Sequence, residues 1–142
     1  MLTLSPIAKV FAQVHSPDLP FPKTVAALLA LGVTRYHIDY ASSLATAFSQ
    51  NIASGTTSTE QIPVPTPRSI PNGKWDPSGV KNAIKRVQSG QTPTYDDFSQ
   101  EIIQAGVVGY FAFLTGKKVV YYGAEGDLHV EWFPGAGPKQ ED

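Results

Sequence analysis

The sequence predicts an α+β domain, with an antiparallel or mixed β-sheet and helices packed on one face. Three observations support this class: helical hydrophobic periods precede strand-like alternation, this order occurs twice, and a glycine follows the second helix each time. Gly32 recurs as Gly106, 74 positions later. The chain has 142 residues, the size of one domain. We therefore expect residues 1–142 to form a single domain of two ααββ repeats, residues 5–49 and 76–123.

Each repeat begins with two amphipathic helices. In Ser5–Pro6, the serine is a suitable N-cap and the proline fits the first helical position. Asp76–Pro77 opens the second repeat in the same way. The second helices are expected over Pro22–Leu31 and Tyr95–Ala105, each followed by a glycine that permits a left-handed C-terminal cap.

Strands follow the helices in both repeats. The first repeat offers VTRYHIDY and the weaker LATAFS, and the second offers VVGYFAFL and KKVVYYG around the hairpin signal Thr115–Gly116. The alternating segment 127–133 predicts one further strand. Residues 50–75, rich in proline, serine and threonine, predict a linker loop, and residues 135–142 predict a flexible tail.

The composition excludes several classes of function. Eleven basic and twelve acidic residues give a net charge of −1, which argues against nucleic acid or a membrane surface as a partner. Without cysteine there are no disulfides or thiolate metal sites. We see no signal peptide and no apolar run long enough to span a membrane. We expect a cytoplasmic protein that binds a small molecule without a cofactor, and a homodimer is left open.

The second half carries a run of specific motifs. They are QSG before YDDF, then AGVVGY, then GKKVVYY, and finally GDLHVEWFP, which ends at Pro134. This run resembles the YbcV-like family, known as domain of unknown function 1398 and often labelled phage envelope protein. The first-half stretch GVTRYHIDY, Gly32–Tyr40, is similar to another motif of that family. The resemblance implies mainly a fold, since the family has no agreed activity, and the long segment 50–75 departs from its pattern.

Arg35, His37 and Asp39 alternate along the first predicted strand and therefore share one face. The positions 74 residues later hold apolar residues or glycine: Gly109, Phe111 and Phe113. In the last strand, His129 and Glu131 also share a face, and the two histidine–carboxylate strands could meet at a pocket with aromatic walls.

Four interpretations of these residues remain open. They are the solvated face of a sheet, a cofactor-free acid/base site of isomerase, cyclase or lyase type, a zinc or iron site, and an apolar ligand- or protein-binding surface built on tyrosines. For the acid/base hypothesis the catalytic candidates are His37, Asp39, His129 and Glu131, and we expect His37 with Asp39 to matter most. The predicted substrate-binding residues are Arg35, Tyr36, Tyr110, Phe111, Phe113 and Tyr121. A non-catalytic interaction module is the alternative.

Overall fold

The computed structural model describes residues 4–13, 21–64, 74–89 and 95–137. These residues form four helices and a six-stranded sheet. The helices are α1 (Pro6–Gln13), α2 (Phe21–Ala30), α3 (Pro77–Gln88) and α4 (Tyr95–Gln104). The strands are β1 (Val33–Asp39), β2 (Leu44–Asn51), β3 (Thr56–Pro63), β4 (Val107–Phe113), β5 (Lys118–Gly123) and β6 (Leu128–Trp132).

Local signals place the helix ends. The Ser5 Oγ accepts a hydrogen bond of 3.0 Å from the Ala8 N–H and so caps α1 as predicted. After α2 and α4 the chain turns through Gly32 and Gly106, whose φ angles are +88° and +98°. Side chains rarely adopt such angles, so glycine is required at both helix ends.

The strands lie in the order β3-β2-β1-β4-β5-β6, and every neighbouring pair is antiparallel. The corresponding strands of the two halves, β1 and β4, pair at the centre, where His37 is the partner of Phe111. The α+β class with an antiparallel sheet is therefore confirmed.

The two halves have matching backbone details. The register shift between Val33 and Arg35 recurs between Val107 and Gly109, 74 positions later in each case. The β1–β2 and β4–β5 turns each contain a non-glycine residue with positive φ, Ser43 at 57° and Lys117 at 61°. These positions also differ by 74. That the halves arose by duplication stays an interpretation, but their strand order and register agree with it.

The predicted linker contains a strand that sequence reasoning missed. Within 50–75, β3 pairs with β2 along its whole length, from Leu44 opposite Pro63 to Asn51 opposite Thr56. The prediction of a loop is wrong for these residues. An edge strand needs few buried side chains, here Ile62, and threonine favours extended backbone, so no apolar period is required. Residues 65–73 of the linker and 138–142 of the tail lie outside the described residues.

The core lies on one face of the sheet, between the sheet and the helices. Tyr36, Ile38 and Tyr40 of the β1 segment point into it, together with apolar residues of all four helices such as Leu28 and Ile102. Among the described residues, no helix is long and apolar enough to cross a bilayer. The opposite face of the sheet carries no described helix, and its central side chains are half-exposed.

Candidate functional site

The side of the sheet away from the helices is called the open face. Its side chains alternate along each strand with those of the core, and strand pairing places them in cross-strand rows. On strands β1, β2, β4, β5 and β6, the side chains of the open face are Arg35, His37, Asp39, Leu44, Thr46, Phe48, Gly109, Phe111, Phe113, Lys118, Val120, Tyr122, Leu128, Val130 and Trp132. The face is thus largely aromatic and aliphatic, with a few polar groups at its centre.

The central polar contact of the open face joins His37 of β1 to Tyr122 of β5. The His37 Nε2 lies 2.6 Å from the Tyr122 hydroxyl, and the two rings are nearly parallel at 12°, with centroids 5.8 Å apart. The Phe111 ring packs against the imidazole of His37, with the two ring centroids 4.4 Å apart. A hydrogen-bonded pair therefore sits within an aromatic patch.

Gly109 provides the space for this contact. It lies on β4, between Asp39 of β1 and Tyr122 of β5 in the same cross-strand row. A Cβ at this position would collide with the Tyr122 hydroxyl, would lie 2.8 Å from Tyr122 Cζ, and would lie 2.6 Å from the Ile38 carbonyl oxygen. Because β4 carries no side chain here, the tyrosine can lie across it and reach His37.

The surroundings shift the pKa values of both partners. Burial lowers the pKa of His37 below its usual value of 6.5, and the nearby Asp39 carboxylate opposes this only in part. Burial raises the pKa of Tyr122, and Asp39 adds to that rise. At neutral pH the imidazole and the phenol are therefore both uncharged, and one proton lies between Nε2 and the hydroxyl oxygen.

Asp39 does not orient the imidazole. Its Oδ1 accepts hydrogen bonds from the N–H groups of Ala41 (2.9 Å) and Ser42 (3.4 Å) in the β1–β2 turn. This is the ordinary turn-forming use of an aspartate. The predicted pairing of His37 with Asp39 is thus replaced by a pairing of His37 with Tyr122.

The other two predicted catalytic residues lie elsewhere. His129 and Glu131 are on the edge strand β6, with His129 opposite the core residue Tyr121, so they lie on the helix side of the sheet. His129 Nε2 and Glu131 Oε1 are 3.2 Å apart, and both side chains are partly exposed. Two strands and the sheet itself separate them from His37, so the four predicted residues do not converge.

The same separation argues against the zinc or iron hypothesis in its predicted form. His37 and His129 face opposite sides of the sheet and cannot bind one ion. Within the described residues, no group of three or more histidine, cysteine or acidic side chains has a metal-binding arrangement.

The predicted substrate-binding residues also fall into two sets. Arg35, Phe111 and Phe113 lie on the open face. The tyrosines lie in the core: Tyr36, Tyr110 and Tyr121. Burial raises the pKa of each of these three, and the Tyr110 hydroxyl is hydrogen-bonded to that of Tyr95. These tyrosines pack ring against ring in the core and do not line the open face.

A shallow groove of about 470 Å³ lies at one end of the molecule, between α2 and the segment after β6. Its lining is mostly apolar and contains no predicted catalytic residue: Val25, Leu29, Leu114, Gly116, Lys117, Trp132, Phe133, Pro134, Gly135, Ala136 and Gly137. The groove does not reach the His37–Tyr122 pair.

Sequence reasoning missed Tyr122 and the role of Gly109. The signal was present, because the hairpin around Thr115–Gly116 places Tyr122 opposite Gly109 once the strands are paired. A tyrosine facing a glycine in a two-strand pair has room to extend over the neighbouring strand.

One family model matches the chain over residues 8–131, and its description is "Protein of unknown function (DUF1398)". No curated protein matches the chain. The match covers nearly all of the first repeat and the whole of the second, and it reaches Glu131 in β6. It does not extend to the narrower YbcV-like name or to the phage envelope label, both of which stay predictions.

Proposed function

Because the chain belongs to DUF1398, a family of unknown function, we propose from the geometry of this chain that it is a small-molecule-binding domain whose site is the open face. The ligand is a planar ring system that stacks on the aromatic patch and exchanges a hydrogen bond with His37 or Tyr122. This proposal retains the predicted class of ligand and moves the site to one side of the sheet.

The observation that carries the proposal is the His37–Tyr122 contact beside the Phe111 ring. An aromatic pair contributes about 0.5–1.5 kcal/mol beyond the area it buries. A few polar groups in an apolar surface fix the orientation of a ligand. Uncharged imidazole and phenol groups offer both a donor and an acceptor, which suits a heteroaromatic ring.

The position of His37 and Tyr122 on the surface of the sheet favours binding over catalysis. Acid/base catalysis gains much of its strength in a site that excludes water and fixes the substrate. Here His37 and Tyr122 are only partly buried on a sheet surface, and Asp39 does not support the imidazole. The non-catalytic alternative is therefore the one that the geometry supports best.

The binding proposal is tested with indole and quinoline as probes, observed by saturation-transfer NMR. Phe111→Ala removes one stacking surface and should weaken binding roughly tenfold, since about 1.4 kcal/mol corresponds to a factor of ten. Tyr122→Phe keeps the ring and removes only the hydroxyl, so it should weaken quinoline binding less than the alanine change does.

Val87→Ala is the matched control, because Val87 is an exposed apolar residue on α3, on the other side of the sheet. Equal binding by all four proteins would mean that the probes bind elsewhere, and the proposal would be abandoned. Sedimentation velocity on the same samples tests whether a second copy covers the open face. A dimer that dissociates when quinoline binds would support the assignment of the face.

A second candidate function is acid/base catalysis by His37, and the 2.6 Å contact with Tyr122 favours it. The lowered pKa keeps the imidazole in its basic form at neutral pH. If this is correct, the protein exchanges the α-protons of a carbonyl metabolite with D₂O, and His37→Gln stops the exchange. Exchange at the same rate in the variant would exclude His37 as the base.

We also propose that the protein is cytoplasmic, as the sequence predicts. It is tested by fractionating cells that express the full chain and detecting it in the cytoplasmic and membrane fractions. Recovery in the membrane fraction would contradict it.

A further inference from the structure

One cross-strand row of the open face alternates aromatic and cationic side chains over five neighbouring strands. Arg35 is opposite Phe48 on one side and Phe113 on the other, and Lys118 is opposite Phe113 and Trp132. The order is therefore Phe48, Arg35, Phe113, Lys118, Trp132. We call this set the cation–aromatic row.

Both cations contact rings within the row. The Arg35 guanidinium carbon lies 4.2 Å from the Phe48 ring centroid, and the Lys118 ammonium lies 5.1 Å from the Trp132 ring centroid. In the part of the chain that the structure describes, neither forms a salt bridge with a carboxylate. Their charges are therefore available to an anion that approaches the open face.

The open face is more positive than the chain as a whole. Among its described strand residues, Asp39 is the only acidic one, and two hydrogen bonds from turn N–H groups partly satisfy its carboxylate. Asp39 is four residues from Arg35 along β1, a separation of about 13 Å in an extended strand. Glu131 lies on the helix side. The net charge of −1 is a sum over all surfaces and does not describe this row.

We propose that the cation–aromatic row binds a single-stranded nucleic acid segment, with bases stacked on the rings and backbone phosphates paired with Arg35 and Lys118. This inference rests on the proposed use of the open face for binding, and it assigns a class of ligand to that face. It departs from the expectation, drawn from the net charge, that nucleic acid is not a partner. Aromatic side chains between cations are the general means by which sheet surfaces hold single strands.

The length of the row favours a strand over a free nucleotide. Neighbouring strands are about 4.8 Å apart, so the five positions extend over about 19 Å. Gly137 packs against the Trp132 ring, so Phe48 and Phe113 supply most of the stacking surface. The two cations lie on either side of Phe113. A segment of several nucleotides can contact both cations and stack on both phenylalanine rings at once, whereas a single nucleotide cannot.

The test is fluorescence anisotropy of a labelled octauridylate and a labelled octathymidylate, titrated with the full chain between about 50 and 200 mM salt. With two phosphate contacts, a plot of the logarithm of the association constant against the logarithm of the salt concentration should have a slope of about −1.4, since each contact to a single strand contributes about −0.7. Arg35→Gln or Lys118→Gln should each reduce the slope by about 0.7.

Phe113→Ala should lower the affinity about tenfold and leave the slope unchanged, because the ring stacks on a base and carries no charge. Lys81→Gln and Lys85→Gln on α3 remove exposed cations on the other side of the sheet, and both should bind like the parent protein. Thermal unfolding of each variant shows that a loss of binding is not a loss of folding.

Each result decides the inference. Absence of binding by either octanucleotide at about 50 mM salt, or a slope that Arg35→Gln and Lys118→Gln leave unchanged, would overturn it. Adenosine monophosphate binding as tightly as the octanucleotides would assign a free nucleotide instead and also overturn it. If quinoline binds and the octanucleotides do not, the inference fails while the proposed function stands. Failure of both probes removes the open face as a binding site.

Discussion

Substitution of Gly109 by alanine tests how the open face is built. The added Cβ would collide with the Tyr122 hydroxyl and lie 2.6 Å from the Ile38 carbonyl oxygen, which belongs to the backbone and cannot move freely. Gly109 has no positive φ, so the backbone conformation suits alanine and the effect is steric. The tyrosine must move away, and its contact with His37 is lost.

The magnitude follows from three contributions. Overpacking typically destabilises by about 1–3 kcal/mol, and the lost hydrogen bond by about 0.5–1.5 kcal/mol. Alanine also restricts the unfolded chain, which offsets about 0.4–1 kcal/mol. We expect Gly109→Ala to lower the free energy of unfolding by about 2 kcal/mol, a shift of the urea midpoint of roughly 1 M.

Urea denaturation followed by circular dichroism measures this change. Tyr122→Phe should lower the free energy by only about 0.5–1.5 kcal/mol, because it removes the hydrogen bond without the clash. The matched control is Gly116→Ala, whose Cβ would meet only the Phe113 Cβ, at 3.3 Å, and which should differ little from the parent. A Gly109→Ala protein with an unchanged midpoint and unchanged quinoline binding would refute the reasoning.

Three further predictions concern the stability of the folded chain. Gly106→Ala should destabilise more than Gly32→Ala. Both changes force a side chain to positive φ, but only at Gly106 would the Cβ also meet backbone, 2.7 Å from the Trp75 Cα. Equal urea midpoints for the two variants would contradict this. The pKa of His37 is lowered in the folded state, so below pH 6.5 the unfolded chain binds more protons than the folded chain. Stability should therefore fall as the pH falls below 6.5, and His37→Gln should make stability depend less on pH between pH 7 and 5. Burial raises the pKa of Tyr40 from 10.0 to about 12, so stability should fall as pH rises from 10 to 12, and Tyr40→Phe should lessen that fall; an equal fall in the variant would contradict this.

The fold could be predicted largely because its signals are local. Helical periods, the glycines at Gly32 and Gly106, and alternating strands each act within a few residues, and the offset between the halves gives the order of elements. Strand β3 could not be predicted in this way, because an edge strand with one buried apolar residue, Ile62, is stabilised mainly by pairing with β2.

The candidate site was only half predictable. Alternation correctly placed Arg35, His37 and Asp39 on one face, whereas the pairing of His37 with Phe111, its counterpart 74 positions later, was seen only in the structure. The partner of His37 depends on register across two strands and on a missing side chain at Gly109, and neither is visible in a hydrophobic pattern. The sheet also separates His37 from His129, which spacing along the chain cannot show.

The most direct test of the account is aromatic NMR of the full chain, labelled with ¹³C, during titration with quinoline. The account predicts that ring resonances of His37, Phe111 and Tyr122 shift together with one dissociation constant, while those of the core rings Phe11 and Phe98 stay unchanged. Shifts confined to core rings, or to the groove beside α2, would contradict the claim that the open face is the binding site.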